Sequence, residues 1–375
     1  MRPIHARSIS VAILGLFAAA APAGAQSPPA SGVVVNTHFG GFILGYDIDS
    51  TGTEGVLAEA LTLPGGTHDV AVETFDQATG NIVKIVRHLA NTNNDFVTLG
   101  VVGSGVGLVE FEQSSGIFVD HRRYVVMNPL NANMFTGSWT PPLTVQDLIS
   151  GVSSNQGSQT TAFIGFHNGG NDQAFVFTSN VAANTFGPFI DLLDPAFSFG
   201  GGTKMEIDRA TNQAILGNSI GCPNCSPTIG KVDLAGGAQT SFVGLGFGYI
   251  NGLAVDSATQ VLCTTTEIDF SVEFYDLTTN NGFLVTMPGA TNQAQSGMTV
   301  ALDPIHKLFL IQQEFTSTAA SGSSIQVFNE QGTYIESING LSLPASPARI
   351  ALNPTLRVGW IIVTPNLTSL QSFSY

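Results

Sequence analysis

Charged side chains are scarce in this sequence: of its 375 residues only 12 are Lys or Arg and 27 are Asp or Glu, a formal net charge of −15. With few basic groups and no cluster of them, the chain cannot displace the counterions of a nucleic acid or of an anionic membrane surface, so neither is expected as a partner. Disordered chains combine high charge with little apolar content; here 43% of the residues are hydrophobic. Three cysteines are too few for a disulfide scaffold, and a chain of this length buries enough surface to fold without one. Past residue 25 no run of about 18 apolar residues occurs, so no membrane-spanning helix is expected. What the sequence has in plenty is Gly, 42 residues, and Phe, 25 residues. That mixture of turn formers and large apolar side chains suits a folded protein rich in short strands.

Residues 1–25 have three parts: Arg2 and Arg7 at the start, an apolar run from Ile9 to Ala21, and Ala23-Gly-Ala25 before Gln26. This is the layout of a cleaved secretory signal peptide. It predicts a secreted or periplasmic protein, with residues 26–375 as a single domain.

A register recurs in the C-terminal half. Lys204-Met-Glu-Ile-Asp208, Gly252-Leu-Ala-Val-Asp256, Gly297-Met-Thr-Val-Ala-Leu-Asp303 and Arg349-Ile-Ala-Leu-Asn353 each end an apolar strand on Asp or Asn. A polar turn and a second apolar strand follow. Asp or Asn opens such a turn because its side chain accepts hydrogen bonds from the backbone two residues on. The spacings are 48, 47 and 50 residues, and a period in the forties with several strands per unit predicts a β-propeller blade. After Asp256, the segments Ser271–Asp276 and Gly282–Thr286 complete the unit as two more strands; after Asp303, Ser324–Asn329 and Thr333–Ile338 do the same.

Fainter copies place further corners at residues 76, 112 and 168, which brings the expected count to seven blades, with six and eight as the neighbouring counts that this uneven spacing also admits. Residues 127–158, holding Trp139-Thr-Pro-Pro, read as an inserted loop. The chain after Asn353 has room for two strands only, Val358–Val363 and Leu370–Tyr375, so the last blade lacks an outer strand, and Val33–Asn36 and Phe42–Asp47 at the other end are expected to supply what is missing and close the ring by sharing one blade between the termini.

Asn251-Gly-Leu-Ala-Val-Asp256 and Ser324-Ile-Gln-Val-Phe-Asn-Glu-Gln-Gly-Thr-Tyr-Ile335 resemble the strand–turn–strand signatures of bacterial NHL-type and YVTN-type propellers, over about residues 200–375. Asn251-Gly252-Leu253 is also similar to the Pro-Asn-Gly-Leu strand start of gluconolactonase-type, calcium-dependent propeller lactonases. That resemblance implies Asn251 as a calcium ligand at the mouth of the central channel, although Ile250 stands where that family has Pro. The carboxylate that the family supplies one blade later is replaced by Ser296, and one amide does not hold a hard cation.

Propeller ligands sit where the innermost strands begin, and in this register those positions hold His68 and Asp69, Lys204 and Glu206, Tyr249 and Asn251, Ser296, and Arg349. Of these, His68, Asp69 and Arg349 are the candidate catalytic residues. Cys222-Pro-Asn-Cys225 has the spacing of a small disulfide staple, a redox pair or half a zinc site. The staple reading is favoured because the pair lies in a Gly/Pro/Ser loop, and Cys263 then remains as a buried thiol. His38, His88, His121, His167 and His306 stand singly and make no metal motif. Asp120-His-Arg-Arg123 is the densest ionic patch and reads as a solvated turn. Gly217-Asn-Ser-Ile-Gly221 and Gly103-Ser-Gly-Val-Gly107 match a nucleophile elbow and a phosphate loop in spacing alone, since no helix follows either. The expected function is therefore that of an exported, monomeric, non-enzymatic scaffold that binds a protein or glycan. A calcium-dependent hydrolase or lyase of small cyclic esters or sugars at the channel mouth is the alternative.

Overall fold

The computed structural model describes residues 32–375 except 51, 63–67, 93, 104–105, 116–117, 128–132, 139–146, 156–159, 168–173, 181–184, 198–202, 219–225, 267–269, 291–296, 318–319, 345–348 and 364–366. The described residues form 29 strands in seven antiparallel sheets. The first strand, β1 (Val34–Asn36), stands apart from the chain's first hairpins. Sheet I follows as β2 (Phe42–Ile48), β3 (Glu54–Thr62), β4 (His68–Asp76) and β5 (Ile82–Thr92). Sheet II is β6 (Asn94–Gly103), β7 (Val106–Ser115), β8 (Phe118–Met127) and β9 (Asn133–Ser138). Sheet III is β10 (Asp147–Asn155), β11 (Thr160–His167) and β12 (Ala174–Asn180), edged by the two short strands β13 (Thr185–Phe186) and β14 (Ile190–Asp191).

Sheet IV comprises β15 (Lys204–Asp208), β16 (Gln213–Gly217), β17 (Thr228–Asp233) and β18 (Gln239–Val243). Sheet V comprises β19 (Ile250–Asp256), β20 (Val261–Thr266), β21 (Ser271–Asp276) and β22 (Asn281–Thr286). Sheet VI comprises β23 (Gly297–Asp303), β24 (Leu308–Ser317), β25 (Ala320–Asn329) and β26 (Tyr334–Ile338). Sheet VII is built from both ends of the described chain: β27 (Ala351–Asn353), β28 (Val358–Val363) and β29 (Ser369–Ser374), with β1 paired antiparallel to β29 through Val34 opposite Gln371 and Asn36 opposite Ser369.

The first strands of successive sheets touch in a cycle, from β2 through β6, β10, β15, β19, β23 and β27 back to β2. Sheets that meet through their first strands and fan outward make a β-propeller. Its core lies between neighbouring sheets. One apolar cluster joins sheets VI, VII and I around Trp360, Phe75, Leu310 and Tyr46; others join III to IV, IV to V and V to VI.

The recurring Asp and Asn corners hold the ring together as well as turning the chain. In sheet V the Asp256 carboxylate accepts the Ala258 and Thr259 N–H groups at 2.8 and 3.4 Å, and Asp208 accepts the Ala210 N–H in sheet IV. Four residues past each corner, Asn212, Gln260, Lys307 and Arg357 adopt left-handed backbone with φ of 54°, 60°, 59° and 53°, an uncommon conformation for residues other than Gly. Two of these side chains reach back to the preceding sheet's corner: Gln260 Nε2 donates to Asp208 Oδ2 at 2.9 Å, and Lys307 Nζ to Asp256 Oδ2 at 2.6 Å. Between sheets VII and I, Asn353 Nδ2 donates to the Gly52 carbonyl and to Gln77 Oε1.

Burial works against the Asp256 charge, but the hydrogen bond from Lys307 and those of the corner outweigh it and hold this carboxyl below the ordinary Asp value. Its contribution to stability is therefore present at neutral pH and lost as acid titrates through that lowered value. Asp256→Ala leaves two corner N–H groups and the Lys307 ammonium without their acceptor, and is expected to cost about 2–3 kcal/mol in denaturant unfolding. A loss below about 0.5 kcal/mol would show that the corner ladder contributes little.

Several expectations are corrected here. Asp76 closes the corner between β4 and β5, the third and fourth strands, and Glu112 lies within β7, so neither ends a first strand. The cause is chemical: third–fourth corners such as Asp76, Asp233 and Asp276 use the same carboxylate-to-backbone bonds as first–second corners, so the pattern slips by half a unit. Residue 168 lies outside the described residues. The stretch 127–158 contributes β9 and β10, outer strand of one sheet and first strand of the next, in place of an inserted loop. Asp120–Arg123 falls within β8, not in a turn. Only β1 joins the C-terminal strands, while Phe42–Ile48 opens sheet I.

Candidate functional site

All first strands run the same way about the hub, so the connectors that lead into them gather at one mouth. His68 and Asp69, expected there, begin β4, the third strand of sheet I, and are displaced outward from the hub by two strands. The half-unit slip at Asp76 put them at the wrong radius. Lys204 and Glu206 lie on β15, Asn251 on β19 with Tyr249 just before it, and Arg349 just before β27, all on first strands or at their starts. Ser296, Cys222 and Cys225 lie outside the described residues. Cys263 is a free, buried thiol in β20, which burial pushes above the ordinary cysteine value.

Arg349 meets Asp47 of β2 across the seam between sheets VII and I, Nη2 to Oδ2 at 2.9 Å. The Arg349 carbonyl is fixed too, accepting the Tyr46 hydroxyl proton, while the Tyr46 oxygen accepts the Ile362 N–H at 3.2 Å. In sheet IV, Glu206 Oε2 accepts the Ser153 hydroxyl of β10 at 2.7 Å, and Ser153 Oγ accepts the Ile207 N–H at 3.1 Å. Burial pushes the Glu206 carboxyl above the ordinary value; the Ser153 hydrogen bond and the charges of Arg349 and Arg209 act the other way, and Asp47 adds to the rise. Sheet IV is three sheets from both VII and I around the cycle. Charges on VII and I that act on Glu206 therefore act across the hub, so the Asp47–Arg349 and Ser153–Glu206 pairs face one another electrostatically. Lys204, two residues earlier on β15, has its ammonium lowered by the same burial.

Asp47 and Ser153 were missed by reasoning from strand starts, yet a signal exists. The pairing registers place Asp47, Ser153, Glu206, Ala254, Ala301 and Ala351 at one equivalent position, opposite Val56, Ala162, Ile215, Cys263, Leu310 and Trp360. Three sheets have a methyl group there. The carboxylates in sheets I and IV are exceptions to the repeat, and a repeat broken by charge at its hub marks a place where folding is not the only demand.

No family model matches the chain, and no curated protein is similar to it in sequence. The solved structure described as the Dos1 propeller is similar: it superposes with a TM-score of 0.56 over 92% of this chain and 94% of that one, at 10% identity. Likeness at that identity speaks for the fold alone.

Asn251 has a structural role through its amide nitrogen. Its Nδ2 donates to the Gly297 carbonyl of β23 at 3.2 Å, tying sheet V to sheet VI. Among the described residues no group of three or more His, Cys, Asp or Glu is arranged to hold a metal ion. His306 accompanies its own corner, with Nδ1 at 2.7 Å from Asp303 Oδ2. Asn218, within the elbow-like glycine run, accepts the Thr228 N–H, and Gly103 and Val106 close a hairpin between β6 and β7. Both roles are those of turns between strands. No helix among the described residues is long and apolar enough to cross a membrane.

Two of the described connectors at the mouth carry exposed apolar side chains. Phe39 and Phe42 on the approach to sheet I are 46% and 56% exposed, and Leu245 and Phe247 on the approach to sheet V are 41% and 51% exposed. Exposed Phe and Leu together with a half-exposed Arg349 paired to the buried Asp47 carboxylate combine an apolar rim with a charged anchor.

Proposed function

We propose that this protein is an exported binding scaffold: a seven-bladed ring, closed by the β1–β29 pairing, that seats a protein partner on the mouth of its hub. The observation that carries the reading is that the Asp47–Arg349 and Ser153–Glu206 pairs face one another electrostatically across the hub, inside a rim bearing Phe39, Phe42, Leu245 and Phe247. The exposed aromatic side chains of the rim are Phe, whose rings have no polar edge with which to grip sugar hydroxyls, so an apolar protein segment suits the rim better than a glycan. The N-terminal signal-peptide layout supports export. The lactonase reading rests on the Asn251 Oδ1 as its one matched ligand, and a single amide oxygen does not hold a hard cation.

The test is selection of a displayed peptide library against the whole protein, followed by affinity measurements. Peptides rich in apolar and aromatic residues are expected, with binding weakened at least about tenfold by Phe247→Ser or Glu206→Gln and unchanged by Leu356→Ser on the opposite face. Selection of no peptide, beside retention on a glycan array, would replace the protein partner with a sugar. In calorimetry, Asn251→Ala is expected to leave the response to calcium unchanged; tight binding that this substitution abolishes would restore the lactonase reading.

A further inference from the structure

The sheets carry a polar layer beneath the mouth. Ten residues past the first corner stand Glu59, Asn218, Thr266 and Gln313, and three residues before the third–fourth corner stand Glu73, Glu273 and Gln326, all buried. In sheets I and V this layer holds the connector that enters the sheet. The Leu245 N–H donates to the Tyr275 hydroxyl oxygen at 2.7 Å, and that hydroxyl donates to Glu273. On sheet I, the His38 N–H donates to Glu73 Oε2 and the Phe39 N–H to Glu59 Oε2, each at 3.2 Å, and the Gly41 N–H donates to Glu59 Oε1.

Sheet VI fills the same two positions with neutral amides, Gln313 and Gln326, so packing alone does not require charge there. Sheet I places two carboxyls, both fully buried. Two carboxylates in one desolvated site cannot both ionise cheaply, which favours a proton on Glu73.

We propose that Glu59 and Glu73 form a proton-operated latch on the connector 37–41. While the pair holds its proton, both carboxyls accept the connector's N–H groups and Phe39 is kept at the mouth. When the proton passes to solvent, repulsion between two buried carboxylates releases the connector. Burial chiefly, with the Glu59 charge adding and the His38 N–H opposing, pushes Glu73 up to about 8. A carboxyl raised above its unfolded value stabilises the fold fully below that ordinary value and loses the contribution as pH rises through about 8. The latch therefore holds in mild acid and yields in mild alkali.

Among the described side chains, the titratable groups near the pair are His38 on the connector, whose ring packs edge-on against Phe39 at 4.7 Å, and Lys84 on β5, in register with Thr74; Arg87 and His88 follow along β5, in register with Val72 and Ala71. The latch stands independently of what the mouth binds.

Hydrogen–deuterium exchange of the whole protein tests it, reading the peptide that covers residues 37–41 between pH 6 and 9.5 with rates normalised to the intrinsic chemical rate. Protection in the wild type should fall by about tenfold per pH unit from pH 6 to about 8, where only the latched state keeps the proton, and level off above that. Glu73→Gln and Glu59→Gln should each flatten the profile, His88→Gln should keep it, and β20 should stay protected throughout. A flat wild-type profile overturns the latch without any variant. A fall that survives both glutamine substitutions, or that His88→Gln removes, overturns it equally.

Discussion

Trp360→Ala is expected to cost about 3–5 kcal/mol, the range for emptying a fully buried aromatic site. Trp360 is 0% exposed on β28, and its ring meets Phe75 of sheet I at 5.3 Å between centroids with a 59° tilt. The indole thus packs where sheet VII, assembled from both ends of the described chain, joins sheet I. A cavity there weakens the seam that keeps the sheets in a ring, and the seam has no covalent support. Trp360→Phe should cost much less, because among the described residues the buried indole Nε1 has no acceptor, and removing an unsatisfied donor offsets part of the lost volume. Guanidinium unfolding followed by far-ultraviolet circular dichroism measures both. Near-equal losses for the two variants would mean that the ring volume of Trp360 does not hold the seam.

The second large effect falls on the Asp47–Arg349 pair. Arg349→Ala leaves the Asp47 carboxylate, 7% exposed, without its guanidinium, and is expected to lower stability by about 2–3 kcal/mol. That is less than the loss of a fully buried pair, because the Arg349 side chain is 46% exposed and partly screened. Adding Asp47→Asn removes the stranded charge and should recover most of that loss. Binding behaves differently: if the mouth uses this pair as its charged anchor, the double variant stays stable and still fails to bind the selected peptides. A double variant that recovers both properties would reduce the Asp47–Arg349 pair to a seam contact. Thermal unfolding and titration calorimetry on the same three proteins give the two readouts.

The legibility of this molecule from its residues was uneven, for a reason visible in its corners. Asp208, Asp256, Asp303 and Asn353 end first strands as the 47- to 50-residue spacing implies, because a carboxylate or amide that caps its own turn acts within three residues and needs no distant partner. Asp76 obeys the same local chemistry and was misplaced by it. Nothing within three residues distinguishes a third–fourth corner from a first–second one, and with that corner went His68 and Asp69. Arg349 stands just before β27, a first strand, where the register puts it. Its partner Asp47 lies 302 positions away, and no local pattern links the two.

Period-two alternation, Asx-led turns and the period in the forties follow from forces between near neighbours along the chain, and they suffice for an all-β propeller. Which carboxylates share the hub, which pair is shut under the 37–41 connector, and where Trp360 finds Phe75 depend on ring closure. Closure brings residues hundreds of positions apart into van der Waals and hydrogen-bond range, where burial, not chain position, decides what each group contributes.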